Sequence, residues 1–125
     1  MKLITIIISM LLVSPVYAVE KYPKLSFIDK RIVDVKKVKQ GTVVKQVFNV
    51  KNIGDAPLVF LSVDKSCNCT SAKISKNILQ PNETGRVEIE IDTKGKVGAT
   101  TISVVLETNT LEKEHALRIS MDVVK

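Results

Sequence analysis

The sequence predicts an all-β fold, a β-sandwich of seven to eight short strands. Three observations carry this expectation. Apolar and polar residues alternate with period 2 in four stretches, the mark of a strand with one buried face. Clusters of Gly, Pro, Asn and Asp recur between those stretches at the spacing of turns in small sandwiches. No segment after residue 18 carries apolar residues at 3.6-residue spacing over ten or more positions. A closed barrel is the alternative arrangement. Aromatic residues make up only 4% of the 125 residues, so Val, Ile and Leu must fill the core, and these suit a pleated sheet.

The first residues stand apart. Met1-Lys2 is a short positive start, and Leu3 to Val13 is an apolar run interrupted only by Thr5 and Ser9. Ser14-Pro15 breaks the run, and Val16-Tyr17-Ala18 is a small-x-small cleavage site. That order is the order of a secretory signal peptide. The apolar run is shorter than the roughly 20 residues that span a bilayer, so no transmembrane anchor is expected after cleavage; a retained anchor is the alternative. No cysteine lies near the cleavage point, so a lipid-anchor signal is absent. The expected division is a signal peptide over 1–18 and one domain over 19–125, beginning at Val19 and located in the periplasm or outside the cell.

The strands follow in order. Leu25-Ser26-Phe27 alternates, and Ile32-Val33-Asp34-Val35 makes a second short strand. Gly41 breaks the chain. Val44, Gln46, Phe48 and Val50 then share one face of a longer strand, with Lys45, Asn49 and Lys51 on the other. The cluster from Asn52 to Pro57 is a turn, and Leu58 to Val63 is an apolar run of strand length. After a second turn, Pro81 to Gly85, the cleanest alternation sets Val87, Ile89 and Ile91 against Glu88, Glu90 and Asp92. Lys94 to Gly98 turns again. Ile102, Val104 and Leu106 define the next strand, and Leu117, Ile119, Met121 and Val123 the last. Val123-Val124 is expected at a sheet edge, with Lys125 blunting it.

The formal charge is +6 at pH 7, nearly all from lysine. A basic exported chain can favour anionic surfaces such as acidic glycans or phospholipid head groups. The simpler reading is a solvated lysine-rich surface. Basic residues are not interleaved with aromatic ones, so no nucleic-acid partner is expected.

From Phe48 to Asn109 the chain resembles the bacterial DUF1573 family, a domain of unknown function. The residues carrying the resemblance are Asn52-Ile53-Gly54, Pro57-Leu58, Ser66-Cys67-Asn68-Cys69-Thr70, Pro81-Asn82-Glu83, Gly98 and Thr108-Asn109. The family has glycine where this chain has Asn68 and Asn82. Asparagine is the residue that best tolerates a left-handed backbone after glycine, so both departures are expected to keep that geometry. The resemblance implies an exported bacterial protein with an immunoglobulin-like sandwich, similar to the ASH and major-sperm-protein type. It implies no activity. The absence of tryptophan and of a widely spaced cysteine pair sets the chain apart from antibody-type domains.

Cys67 and Cys69 are the only cysteines. On a regular strand two residues this far apart share a face, about 6.7 Å apart at the usual rise of ~3.3–3.4 Å. A disulfide prefers about 5.5–6 Å, so a bend at Asn68 is expected if one forms. Export permits oxidation. A three-residue loop is a weak staple, worth about 1.6 kcal/mol by chain entropy, and such a bridge should be fairly easy to reduce. Two same-face thiolates also suit a soft ion such as Cu(I). Zinc is not complete here, because a structural site needs four ligands and His115 is the only histidine. A buried pair of thiols and pairing with another chain are the remaining readings.

Catalysis has little support. The chain carries no nucleophile elbow, HExxH or phosphate loop. A Cys–His enzyme needs His115 beside Cys67 or Cys69, but His115 follows Glu112-Lys113-Glu114 and reads as an exposed loop residue. Glu88 and Glu90 read as a solvated outer face. Asn68-Cys69-Thr70 and Asn82-Glu83-Thr84 fit the glycosylation pattern, which a bacterial context discounts. The expected function is a non-enzymatic binding or assembly module of the bacterial envelope, without a cofactor, whose partner is another envelope protein. The loops at 52–57, 66–71 and 94–98 are its candidate contact sites. The alternative is a thiol-based redox or Cu(I)-binding protein centred on Cys67 and Cys69.

Overall fold

The computed structural model describes Leu12 and residues 20–125. Leu12 apart, the expected signal peptide and its cleavage point lie outside the described residues. The described chain forms nine strands: β1 (Leu25–Phe27), β2 (Ile32–Lys39), β3 (Val43–Asn52), β4 (Leu58–Lys65), β5 (Thr70–Ile74), β6 (Ile78–Leu79), β7 (Thr84–Asp92), β8 (Gly98–Thr108) and β9 (Glu114–Val124). They build two sheets, one ordered β1-β3-β7-β5 and the other β2-β9-β8-β4-β6. The fold is therefore the expected all-β sandwich.

The period-2 pattern decides which side chains meet between the sheets. Val44, Phe48 and Val50 of β3 face inward with Val87, Ile89 and Ile91 of β7. The opposing sheet supplies Ile102, Val104 and Leu106 from β8, and Leu117, Ile119, Met121 and Val123 from β9. β3 and β7 pair in one uninterrupted antiparallel register, with Gln46 opposite Ile89 and Phe48 opposite Val87. On the outer face Lys45 Nζ lies 3.7 Å from Glu90 Oε1. Glu88 and Glu90 thus belong to a solvated surface, as the alternation predicts.

Three features depart from the sequence reading. β5 and β6, absent from the sequence reading, bring the strand count to nine rather than seven or eight: of the inward residues Thr70, Ala72 and Ile74 of β5 only Ile74 is large and apolar, and the two-residue β6 is too short to show a period. β2 extends from the expected Ile32–Val35 to Lys39 and pairs with β9 in parallel. Its register shifts between Asp34 and Lys37, where Lys36 takes φ 69°. Asp34 Oδ1 accepts the Lys36 N–H at 2.9 Å and supports that turn of the backbone. A bulge among lysines is the usual protection of an exposed sheet edge.

The third departure corrects the placement of Val123-Val124. β9 lies inside its sheet, between β2 and β8, with Lys39 opposite Val124. The edges are β1, β5, β2 and β6. A parallel partner more than 80 residues distant in sequence leaves no local signal in β9 itself.

The inward and outward positions of β7 should respond very differently to truncation. Ile89→Ala removes a fully buried side chain and is expected to cost roughly 2–5 kcal/mol. Glu90→Ala, on the adjacent exposed position, should change stability by less than about 0.5–1 kcal/mol. Urea unfolding of the two variants measures both.

Candidate functional site

The connections divide the family-pattern residues between two ends of the sandwich. β3 finishes, β4 begins, β8 finishes and β9 begins at one end, which holds Asn52, Gly54, Pro81, Asn109 and His115. β4 finishes, β5 begins, β7 finishes and β8 begins at the other, which holds Cys67, Asn68, Cys69, Thr70 and Gly98. The candidate loops 66–71 and 94–98 therefore share an end, and 52–57 lies opposite.

The cysteine motif is the crossing from one sheet to the other, between β4 and β5. Cys67 and Cys69 are joined as a disulfide, with S–S 2.04 Å and Cα–Cα 5.1 Å. The Cα separation is shorter than a straight strand gives, so the expected bend is present. It is a tight turn in which the Thr70 N–H donates to Cys67 O at 3.2 Å. The backbone around Asn68 is not left-handed; positive φ is confined to Lys36, Asn82 and three glycines among the described residues. The expectation for Asn68 is corrected accordingly: Asn68 fills the middle of a turn that an ordinary negative φ can make.

Hydrogen bonds hold both flanks of this turn. Ser66 N–H donates to Ser103 O at 2.9 Å, and Ser103 N–H donates to Ser66 Oγ at 2.9 Å. Asp92 N–H donates to Cys69 O at 2.9 Å. The sulfurs have neighbours too. Cys69 N–H donates to Cys67 Sγ at 3.1 Å, and Cys69 Sγ lies 3.6 Å from Thr70 Oγ1. Both cysteines are half-buried against the core, and Thr70 is buried. In the disulfide neither sulfur is a thiolate, the form that binds a soft metal ion. Among the described residues no three His, Cys, Asp or Glu side chains are grouped to hold a metal. Gly98 opens β8 with φ 88°, a conformation that favours glycine.

At the opposite end Asn52 is fully buried and its side chain is fully used. Its Oδ1 accepts the N–H groups of Lys24 at 3.3 Å and Gly54 at 3.0 Å. Its Nδ2 donates to Ala56 O at 2.8 Å and Leu79 O at 2.9 Å. Two donors facing two carbonyls fix the amide orientation. The main chain of Asn52 adds two bonds, from its N–H to Glu83 O at 3.0 Å and from Asn82 N–H to its carbonyl at 2.8 Å.

Gly54 is needed because the segment before β1 passes directly over it. A Cβ at this position would meet Tyr22 O at 2.4 Å and Lys24 N at 2.5 Å. The 80–83 turn closes through Glu83 N–H to Gln80 O at 2.9 Å. Pro81 occupies its second position and Asn82, at φ 68°, its third, which is a type II turn. Here asparagine does take the left-handed backbone expected of it. Lys76 Nζ at 3.0 Å and the Gln80 N–H hold the Glu83 carboxylate below the usual range.

Asn109 repeats the device on a smaller scale. Its Oδ1 accepts Val59 N–H at 2.8 Å and its Nδ2 donates to Pro57 O at 3.1 Å. It ties the end of β8 to the start of β4.

His115 lies in β9 and is only 4% exposed, not in an exposed loop as its charged neighbours suggest. Glu114 and Ala116 point outward while His115 points in, so the alternation of β9 already began at this residue. Its Nε2 lies 3.1 Å from both Thr108 Oγ1 and Thr110 Oγ1. Thr110 Oγ1 donates to Glu112 O, and the two threonine hydroxyls are 2.7 Å apart. With the Thr110 proton given to Glu112, the Thr108 hydroxyl donates to Thr110, and Nε2 is left as the donor of the group. The ring of Phe27 lies 6.1 Å from the imidazole, and the Arg31 guanidinium sits 4.9 Å from the Phe27 centroid. Burial, and then the Arg31 charge, lower the His115 pKa from its ordinary 6.5. A groove of about 330 Å³ opens between the Tyr22–Leu25 segment and Leu111-Glu112, with His115 in its lining. The histidine and the cysteines thus stand at opposite ends, and no Cys–His pair forms.

A family model described as a protein of unknown function (DUF1573) matches residues 26–123. No curated protein matches the chain. Among solved structures, a protein of unknown function from Porphyromonas gingivalis W83 is similar at 16% identity and TM-score 0.67, over 82% of this chain and 46% of that one. The VesB protease of Vibrio cholerae is similar at 20% identity and TM-score 0.66, over 78% of this chain and 31% of that one. An ASH/PapD-like domain of human CEP192 is similar at 12% identity and TM-score 0.64, over 90% of this chain and 96% of that domain. At these identities the likeness is one of fold, and the chain spans less than half the length of the first two.

Asn52→Ala strands two N–H groups and two carbonyls, each worth about 1–3 kcal/mol when buried and unpaired. It should destabilise the fold by about 3 kcal/mol or more, whereas Cys67→Ser/Cys69→Ser should cost about 1.6 kcal/mol at most; urea unfolding ranks the two. A lowered His115 pKa means that the unfolded chain binds the proton more readily. The His115 contribution is therefore complete above pH 6.5 and is lost as pH falls below it. Stability measured from pH 8 to about pH 5 should show this decline, and His115→Gln should flatten it.

Proposed function

Because the chain belongs to the DUF1573 family, whose function is unknown, we propose that it is an exported, non-enzymatic immunoglobulin-like module that binds or assembles with another protein of the bacterial envelope. One observation carries this reading. The polar residues of the family pattern are engaged with the chain's own backbone: Asn52 through all four of its side-chain hydrogen bonds, Asn109 through two. Such residues hold loops in place rather than face a substrate. The lone histidine is likewise engaged with two threonines. A rigid sandwich with fixed end loops is a scaffold for recognition.

The likeness to an ASH/PapD-like domain of human CEP192, over 96% of that domain, supports an immunoglobulin-like module as the unit of fold. The protease likeness covers less than a third of that chain and, at 20% identity, is one of fold alone. Export accounts for the order of Met1-Lys2, the apolar run and Val16-Tyr17-Ala18.

Expression of the full chain with a C-terminal tag tests both halves. The mature protein in the periplasmic or secreted fraction should begin at Val19 by mass spectrometry. Cross-linking in intact cells should join it to an envelope protein more strongly than an unrelated exported control. A chain that keeps residues 1–18, or that cross-links no better than the control, contradicts the proposal.

A further inference from the structure

We infer that Cys67 and Cys69 are a reversible dithiol–disulfide couple that exchanges with a dithiol or disulfide of another protein, with Cys67 as the sulfur that leaves and returns. Three features of the crossing between β4 and β5 carry this. First, the turn does not depend on the S–S bond. The Thr70 N–H to Cys67 O bond closes it, the Ser66–Ser103 pair anchors one flank, and Asp92 N–H to Cys69 O anchors the other. All of these use main-chain atoms or Ser66 Oγ, so they survive reduction.

Second, each sulfur has a group at hydrogen-bond distance. Cys69 N–H already points at Cys67 Sγ at 3.1 Å, and Thr70 Oγ1 is 3.6 Å from Cys69 Sγ. A donor aimed at sulfur favours the thiolate over the thiol, and the better-stabilised thiolate is the better leaving group. The backbone N–H makes the shorter contact, which assigns Cys67 as the leaving sulfur. Third, neither cysteine is fully buried: each keeps part of its surface in solvent at the end of the sandwich, where a partner protein can approach.

The exchange is balanced as follows. A thiolate of the incoming dithiol attacks Cys69 Sγ. The Cys67–Cys69 bond breaks, and its electron pair leaves with Cys67 Sγ as a thiolate facing the Cys69 N–H. Cys69 is then joined to the partner in a mixed disulfide. The partner's second thiolate attacks the partner sulfur of that bond and expels Cys69 as a thiolate. Both cysteines finally take protons from solvent. The partner dithiol becomes a disulfide, Cys67 and Cys69 become thiols, and two electrons and two protons have moved. In reverse, the reduced pair reduces a partner disulfide. This chemistry does not rest on the binding role proposed above, and it is read with purified chain.

The test uses glutathione as the probe. The chain is equilibrated at pH 7 across ratios of reduced to oxidised glutathione, quenched in acid, alkylated and weighed. The expected result is a reversible shift between the disulfide and a doubly alkylated dithiol. Far-UV circular dichroism should be unchanged in both forms, and Tm should fall by no more than about 10 °C on reduction. Single variants then separate the sulfurs. In Cys69→Ser, Cys67 keeps the residue-69 N–H, so the pH midpoint of its alkylation should lie below the ordinary cysteine value of about 8.5. It should also lie below the midpoint for Cys69 in Cys67→Ser. A disulfide that glutathione leaves intact, a fold lost on reduction, or a Cys67 midpoint at or above that of Cys69 overturns the inference.

Discussion

One asparagine holds the end of this sandwich together. Burial of Val, Ile, Leu and Phe between the sheets supplies the main stabilisation, but apolar contact is non-directional and does not say how loops should meet. Asn52 does. It stands at the last position of β3, in one sheet, and donates to Leu79 of β6, in the other. The same side chain receives the N–H of Lys24, just before β1, and closes the turn that leads to β4. Its main chain receives the type II turn at 80–83. Asparagine suits this place because it presents two acceptor lone pairs and two donors on one short planar group. Aspartate would set a carboxylate against two carbonyls, and leucine would leave all four groups unpaired. Gly54 belongs to the same constraint. The loop can fold back onto Asn52 only if the backbone of Tyr22 to Lys24 passes where a Cβ would be.

The ease of reading the sequence varied with how local each cause was. The inward faces of β3, β7, β8 and β9 were legible residue by residue, because alternation is a property of neighbouring positions. The turn at Pro81-Asn82 was legible for the same reason: Pro at the second position and a residue tolerant of positive φ at the third define its type. The three charged neighbours of His115 mask the single fact that it begins the period of Leu117, Ile119 and Met121. The interior position of β9 was hidden because its parallel partner, β2, lies at the other end of the chain. Asparagine permits the left-handed region without requiring it, and Asn82 and Asn68 use that freedom differently. The central role of Asn52 was visible only as a motif; nothing local in Asn-Ile-Gly tells that its side chain reaches Leu79.

The two ends of the molecule do different work. The Asn52 end is a set of satisfied hydrogen bonds, with Asn109 and the Thr108–Thr110–His115 group repeating the theme across the strand ends. Every one of these side chains fixes a loop. The opposite end is held by hydrogen bonds to Ser103 and Asp92, none of which uses a sulfur. A three-residue disulfide contributes little to a core of this size, and its place on the crossing between sheets fits the exchange we infer for it. In this account the fold's rigidity comes from one end and whatever reactivity it has from the other.

Native-state hydrogen exchange at the backbone N–H groups of Asn52 and Gly54 tests the central claim most directly. If Asn52 locks this end of the sandwich, both amides exchange only when the whole domain unfolds, with the same opening free energy as Ile89 in the middle of β7. Exchange of Asn52 and Gly54 through a local opening, well below the global unfolding free energy, would contradict it.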